Sequence, residues 1–159
     1  MKQITIETPI TVCQFNELDP AMRALVEKAK EMTQNSYCPY SHFHVGAAAL
    51  LADGTVVAGS NQENAAYPSG LCAERTTLFA ANANHPNTPV LALAIASYAH
   101  GHYSKNVISP CGACRQVMLE TETRYAQKMK VVLYGEDACY VFESASDLLP
   151  LNFTANSLE

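Results

Sequence analysis

The chain has 159 residues, 48% hydrophobic and 16% charged, so it is long enough to bury one core and too apolar to be disordered. Its formal net charge of -5 and its lack of any Lys/Arg run argue against DNA or RNA as a partner and favour a small molecule. No apolar run approaches the ~20 residues of a membrane span, and no apolar leader is present, so we expect one cytoplasmic domain over residues 1–159.

The first predicted elements are a strand and a helix. Apolar residues alternate over 3–15, which predicts a strand interrupted near Pro9 within an N-terminal extension, residues 1–18. Asp19-Pro20 is a helix cap followed by a proline in the first turn. Apolar residues then recur at helical spacing and predict a helix over about 20–34.

The rest of the chain alternates strands and helices. Asp53-Gly54 is a strong hairpin signal between the apolar segments 43–52 and 55–60. The remaining predicted elements are helices over 72–83, 111–125 and 145–149, strands over 90–97, 130–134 and 139–143, and loops over 61–71 and 98–109. This order predicts a mixed α/β sheet with helices covering its faces.

Three cysteines have the spacing of a metal site. Cys111 and Cys114 form Cys-x-x-Cys at a predicted helix start, a motif that alone is ambiguous between zinc and thioredoxin-like redox chemistry. Cys72, at the start of another predicted helix, supplies a third thiolate. Three protein ligands and one open position are typical of catalytic zinc, and no further Cys-x-x-Cys or His pair closes the shell. In a reducing compartment we expect ligation or burial of the six cysteines, not disulfides.

Glu74 and Arg75 complete this constellation. Zinc lowers the pKa of bound water toward ~7, and Glu74, two residues after Cys72, is placed to carry protons beside it. The segments Cys72-Ala-Glu74 and Pro110-Cys-x-x-Cys114 match the signature of zinc deaminases. Three thiolates and Zn²⁺ carry a net charge of minus one, which Arg75 would offset at the sulfurs, with Arg115 a second candidate. The alternative, a core Cys72 and a redox pair at 111 and 114, leaves Glu74 unexplained.

The sequence resembles the cytidine deaminases, in their short-chain branch of homotetramers with a three-cysteine zinc site, over about residues 37–153. Five segments in the family's order carry the resemblance: Pro39-Tyr-Ser-His-Phe-His-Val-Gly-Ala-Ala48, Asn61-Gln-Glu-Asn-Ala-Ala66, Cys72-Ala-Glu-Arg-Thr76, Ser109-Pro-Cys-Gly-Ala-Cys-Arg-Gln-Val117 and Leu148-Leu-Pro-Leu-Asn-Phe153. It implies a single-domain, three-layer α/β fold with a central mixed five-stranded sheet.

The resemblance also implies an activity: hydrolysis of the exocyclic amine of cytidine and 2′-deoxycytidine in pyrimidine salvage, with one Zn²⁺ per subunit and active sites shared within a homotetramer. Glu74 would take a proton from water, deliver it to N3 and help to protonate the leaving amine. The resemblance assigns the substrate-binding residues as follows: Asn61 and Glu63 at the ribose 3′-hydroxyl, Phe43 beside the pyrimidine ring, Ala73 at the substrate, and Phe153 across a subunit interface.

Other interpretations stay open at this stage. A different small-molecule deaminase, such as a blasticidin S deaminase, shares the Cys-x-Glu and Pro-Cys-Gly-x-Cys motifs, although Asn61 and Glu63 favour a nucleoside. A polynucleotide deaminase conflicts with the acidic charge. A non-catalytic zinc-stabilised interaction module would use four protein ligands and release no ammonia. His100 and His102 are expected in a polar loop and not as ligands.

Overall fold

The computed structural model describes residues 1–158, which form one seven-stranded sheet with α-helices packed against both faces. The strands are β1 Thr11–Cys13, β2 His44–Leu51, β3 Val56–Ser60, β4 Val90–Ala99, β5 His102–Tyr103, β6 Lys130–Leu133 and β7 Cys139–Phe142. The α-helices are α1 Pro20–Met32, α2 Ala73–Asn84 and α3 Gly112–Tyr125. Five 3-10 helices complete the structure: Phe15–Glu17, Thr33–Asn35, Tyr67–Ser69, Ala145–Leu148 and Ala155–Leu158. The predicted α/β fold class is confirmed.

The sheet is mixed, in the order β1-β7-β6-β4-β2-β3, with β5 paired to the end of β4. Strands β4 and β6 are parallel and are connected through α3, whereas every other pairing between the named strands is antiparallel. The predicted hairpin at Asp53-Gly54 is confirmed as the β2–β3 connection. None of the described helices is long and apolar enough to cross a membrane.

Strand β4 is buried on both faces, which explains its uninterrupted apolar sequence. Ala92, Ala94 and Ala96 pack in the cluster that contains α1, and their small side chains let that helix approach closely. Leu93 and Ile95 point the other way, into the cluster formed with α2 and α3. The period of two along one strand therefore separates the two helical layers.

Two expectations about the sheet were wrong in detail. The sheet has seven strands and not five: β1 lies in the N-terminal extension, and β5 forms inside the predicted loop 98–109. His100 and Gly101 both have positive φ (55° and 87°), the conformation of a two-residue type I′ hairpin turn, so His100 lies in the turn and His102 follows it in β5. The predicted strand over 3–15 is paired only at Thr11–Cys13, against β7.

The N-terminal strand is short for a local reason. Pro9 has no N–H to donate to a neighbouring strand, and the apolar residues Ile4 and Ile6 before it are exposed instead of packed on a sheet face. The predicted short helix over 145–149 is present as the 3-10 helix Ala145–Leu148. Alternation alone does not form a strand without a partner edge.

We expect Gly46→Ala to destabilise the fold by about 2 kcal/mol or more. A Cβ at this position in β2 would meet the backbone carbonyl of Ala29 and lie 2.8 Å from the amide nitrogen of Thr33, and neither backbone group can move aside. Urea unfolding measures the change. Gly112→Ala is the matched control, because nothing lies within 4 Å of its added Cβ. An unchanged unfolding midpoint in Gly46→Ala would show that α1 is not packed this closely on the sheet.

Candidate metal centre and cavity

Two helix N-termini bring the three predicted ligand sulfurs together. Cys72 and Cys111 are the N-cap residues of α2 and α3, with extended backbone and no side-chain capping bond, so their sulfurs are directed away from the helices' own amides. Cys114 lies in the first turn of α3 and is fully buried. The Sγ atoms of Cys72 and Cys111 are 3.9 Å apart, those of Cys111 and Cys114 are 3.5 Å apart, and all three lie within 4.8 Å of one another.

This spacing fits a zinc ion. A tetrahedral ion with Zn–S bonds of 2.3 Å places its ligand sulfurs about 3.8 Å apart. The charge balance also fits: hydrogen bonding with the Cys114 thiol, and then with Arg75, lowers the pKa of Cys72 to about 5. The same bonding to Cys72, together with burial, raises the pKa of Cys114. The cluster therefore holds one negative charge readily and resists a second. A divalent cation would supply the positive charge that lets all three sulfurs be thiolates.

Arg75 and Arg115 lie at different places. The Nη2 of Arg75 donates to Cys72 Sγ at 3.7 Å, and the pKa of Arg75 is raised by this bond to a thiolate. Its Nε is buried without a hydrogen-bond partner in the described chain. The Arg115 guanidinium instead donates to Pro110 O, Ser109 Oγ and Leu148 O. Of the two candidates for balancing the thiolates, Arg75 is the one at the sulfurs.

Glu74 is the second residue of α2 and is only 5% exposed, yet it reaches the cavity beside Cys72. Burial raises the pKa of Glu74, and the charge on Cys72 raises it further. A carboxyl group with a raised pKa is suited to accept a proton and to pass it on.

A cavity of about 830 Å³ opens in front of the sulfurs. Its wall contains seven of the predicted site residues: Phe43, Asn61, Glu63, Cys72, Glu74, Arg75 and Cys111. Three others do not line it: Ala73 and Cys114 are fully buried behind the wall, and Phe153 is 57% exposed, with its carbonyl accepting from Gln116 Nε2 at 2.8 Å.

Asn61 and Glu63 line the same cavity and are held in place by backbone groups. Asn61 Oδ1 accepts from the amide of Val45 at 2.8 Å, while its Nδ2 donates to Phe43 O at 2.9 Å, so the amide continues the edge of β2. Glu63 Oε2 accepts from the amides of Tyr40 and Ser41 at 2.9 and 3.3 Å. Hydrogen bonding from Ser41, with the two backbone amides, lowers the pKa of Glu63. One oxygen of Glu63 and one N–H of Asn61 have bonding capacity to spare.

Sequence reasoning missed several wall residues. Tyr40 and Tyr67 line the cavity with their rings 6.1 Å apart and edge to face, and Ile108 and Ser109 form the wall next to Cys111. Tyr40 lies in a turn and Tyr67 begins the short 3-10 helix Tyr67–Ser69, and neither segment has a periodic sequence pattern. The only sequence clue was position, since Ser109 is two residues before a predicted ligand.

Comparisons with known proteins agree with this geometry. Residues 20–130 match the family model described as the cytidine and deoxycytidylate deaminase zinc-binding region. A cytidine deaminase of Halalkalibacterium halodurans is 40% identical over 134 residues, 84% of this chain and 95% of that protein. The crystal structure of cytidine deaminase from Burkholderia pseudomallei superposes with a TM-score of 0.70 at 44% identity, covering 82% of this chain and 97% of that one. The corresponding structure from Mycobacterium tuberculosis has a TM-score of 0.66 at 33% identity, with coverages of 87% and 99%.

We expect Cys111→Ala to remove zinc without unfolding the protein, because Cys111 is exposed and its loss leaves no core cavity. Zinc bound per chain, measured by plasma mass spectrometry after dialysis, should fall to about a tenth of the wild-type value or less, since two thiolates hold the ion poorly. Cys13→Ala removes a half-buried thiol outside the cluster and should retain full zinc. Equimolar zinc in Cys111→Ala would rule out this residue as a ligand.

Proposed function

Because this chain belongs to the cytidine and deoxycytidylate deaminase family, we propose that it hydrolyses cytidine and 2′-deoxycytidine to uridine or 2′-deoxyuridine and ammonia, in a zinc-dependent reaction. The observation that carries the proposal is the position of Glu74, a buried carboxyl group on the same cavity wall as the three-sulfur cluster. The cavity volume lies within the range of small-molecule sites. The net charge of -5 also suits a small, uncharged nucleoside better than a polynucleotide.

Cys72, Cys111 and Cys114 would hold one zinc ion per subunit. Within residues 1–158 they are the one group of three or more potential metal-ligating side chains with suitable spacing. When bound, zinc supplies a Lewis acid that makes water acidic enough to be a nucleophile near neutral pH. The Arg75 guanidinium donates to Cys72 Sγ and withdraws part of the negative charge of the three thiolates.

Glu74 would transfer the protons. Its carboxylate takes a proton from the attacking water and gives it to N3 of the pyrimidine while a C4–O bond forms. A second proton then passes through the same carboxyl group to the exocyclic nitrogen, the C4–N bond breaks, and ammonia leaves. The burial that raises the pKa of Glu74 brings its charged and neutral forms closer in free energy, so that both are accessible during turnover.

Three further residues of the cavity wall would bind the nucleoside. We propose that Glu63 and Asn61 use their remaining acceptor and donor for the ribose 3′-hydroxyl, and that the Phe43 ring packs beside the pyrimidine. The side chain of Ala73 is fully buried, so any contact it makes would be through the backbone of the first turn of α2, where amides have no partner within the helix.

We further propose a cytoplasmic homotetramer in which Phe153 reaches a neighbouring site. Phe153 and Leu151, two residues apart in one segment, are 57% and 84% exposed, and an exposed apolar patch is the kind of surface that a partner covers. The bond from Gln116 to the Phe153 carbonyl fixes this segment against α3. The six free cysteines are consistent with a reducing compartment and with a role in pyrimidine salvage there.

We expect Glu74→Gln to lower kcat for cytidine by about 10²–10⁴-fold, because the amide cannot exchange protons. Zinc content and binding of a substrate analogue should stay near wild type, since the two side chains have the same shape. Loss of the cytosine absorbance measures the rate. Glu120→Gln, on the exposed face of α3, is the control for a lost negative charge. Retained turnover would remove Glu74 from its assigned role, and wild-type protein that releases no ammonia would favour a non-catalytic zinc module.

We expect the contribution of Glu63 to depend on the ribose 3′-hydroxyl. A hydrogen bond to a carboxylate corresponds to about a 10- to 100-fold difference in kcat/KM, so 3′-deoxycytidine should be the poorer substrate by that factor. Glu63→Gln should lower kcat/KM for cytidine much more than for 3′-deoxycytidine. The glutamine oxygen can still accept from Tyr40 and Ser41, which keeps the loop in place. Equal rates for the two substrates in the wild type would contradict ribose recognition and favour a different small-molecule deaminase.

A further inference from the structure

The Arg115 side chain makes three short hydrogen bonds and none of them goes to a sulfur. Its Nε donates to Pro110 O at 2.8 Å, its Nη1 donates to Leu148 O at 2.9 Å, and its Nη2 donates to Ser109 Oγ at 2.7 Å. The guanidinium therefore connects two segments that are far apart in sequence, the loop before α3 and the 3-10 helix Ala145–Leu148.

The loop side of this connection belongs to the cavity. Ser109 lines the wall, and Pro110 directly precedes Cys111, the N-cap of α3. The first backbone bond of α3 runs from the Arg115 amide to Cys111 O, so the Pro110 carbonyl lies outside the helical ladder. The Arg115 side chain supplies the donor that this carbonyl otherwise lacks within the helix.

The other side of the connection is a fixed point. Glu122, two turns further along α3, accepts from the amide of Ala145 at 2.7 Å and also from Ser144 Oγ, and so caps the 3-10 helix Ala145–Leu148. Ala145 and Leu148 are buried in the core cluster with α2 and α3. The 3-10 helix Ala145–Leu148 is thus anchored at its start by Glu122. Arg115 attaches the loop at Ser109 to the end of this helix, at Leu148.

We propose that Arg115 is a positioning residue for nucleoside binding, an inference that rests on the proposed function. It holds the Ser109–Pro110 segment against Leu148 and so fixes the part of the wall, at Ser109, that the bound pyrimidine would face beside the metal cluster. A lysine cannot replace it, because only the planar fork of arginine reaches three acceptors at once. Zinc binding does not need this contact, since Cys111 and Cys114 are held by α3 itself.

Loss of the three Arg115 hydrogen bonds should weaken cytidine binding more than it slows the chemical step. We expect Arg115→Ala to raise KM for cytidine by about 10-fold or more while kcat stays within about threefold, because the wall contacts ground state and transition state alike. The KM of Arg115→Lys, which keeps the positive charge but cannot reach three acceptors at once, should lie between those of the wild type and Arg115→Ala. Millimolar guanidinium ion should lower KM in Arg115→Ala and not in Arg115→Lys. Arg124→Ala removes an exposed arginine of the same helix, bonded only to Pro86 O among the described hydrogen bonds, and should keep the wild-type KM.

A second measurement separates this inference from the proposed function. Amide hydrogen exchange of residues 104–109 and 149–153 should accelerate in Arg115→Ala without substrate, with zinc content unchanged. An unchanged KM in Arg115→Ala, an equal shift in Arg124→Ala, or zinc loss in Arg115→Ala would overturn the positioning role. If wild-type protein does not deaminate cytidine, the proposed function fails by itself, and the exchange result then tests the role of Arg115. Unchanged protection in Arg115→Ala would show that Arg115 does not hold the two segments together, and faster exchange at both segments would support that role.

Discussion

The site depends on one electrostatic constraint: three neighbouring cysteine sulfurs cannot all be thiolates without a cation among them. The sulfur of Cys111 lies 3.9 Å from that of Cys72 and 3.5 Å from that of Cys114. The opposite pKa shifts of Cys72 and Cys114 express this constraint directly. Arg75 neutralises only part of the charge, and it does so from one side of the cluster. A bound zinc ion would neutralise the remaining negative charge. Without it, repulsion between the thiolates would oppose the arrangement of α2 and α3 that brings the sulfurs together.

The sheet makes this arrangement possible. The alternating faces of β4 send α1 to one side and α2 and α3 to the other, so the two helices that begin with cysteines share a layer. Gly46 lets α1 pack directly on β2, so one face of the sheet is covered by α1 and the other by α2 and α3.

Several polar side chains of the cavity act on the backbone as well as on a ligand. Asn61 and Glu63 hold the segment from Tyr40 to Val45, and Arg115 holds the loop at Ser109. Such groups keep spare bonding capacity for substrate while their own rotamers are fixed by the chain. A wall built in this way loses little entropy when the ligand binds.

The sequence alone determined the fold class, the three α-helices, the β2–β3 hairpin and the cysteine and glutamate motifs, because periodicity, turn chemistry and ligand spacing are local properties. It overextended β1 and missed β5, and although it ranked Arg75 above Arg115 it did not determine which acceptors either guanidinium meets. Those outcomes depend on contacts across the chain: an unpaired segment such as residues 1–10 forms no strand, and a guanidinium is directed by whichever acceptors the fold brings near. The cavity wall at Tyr40, Tyr67 and Ser109 was likewise decided only by the tertiary structure, since loops without periodicity take their positions from what they pack against.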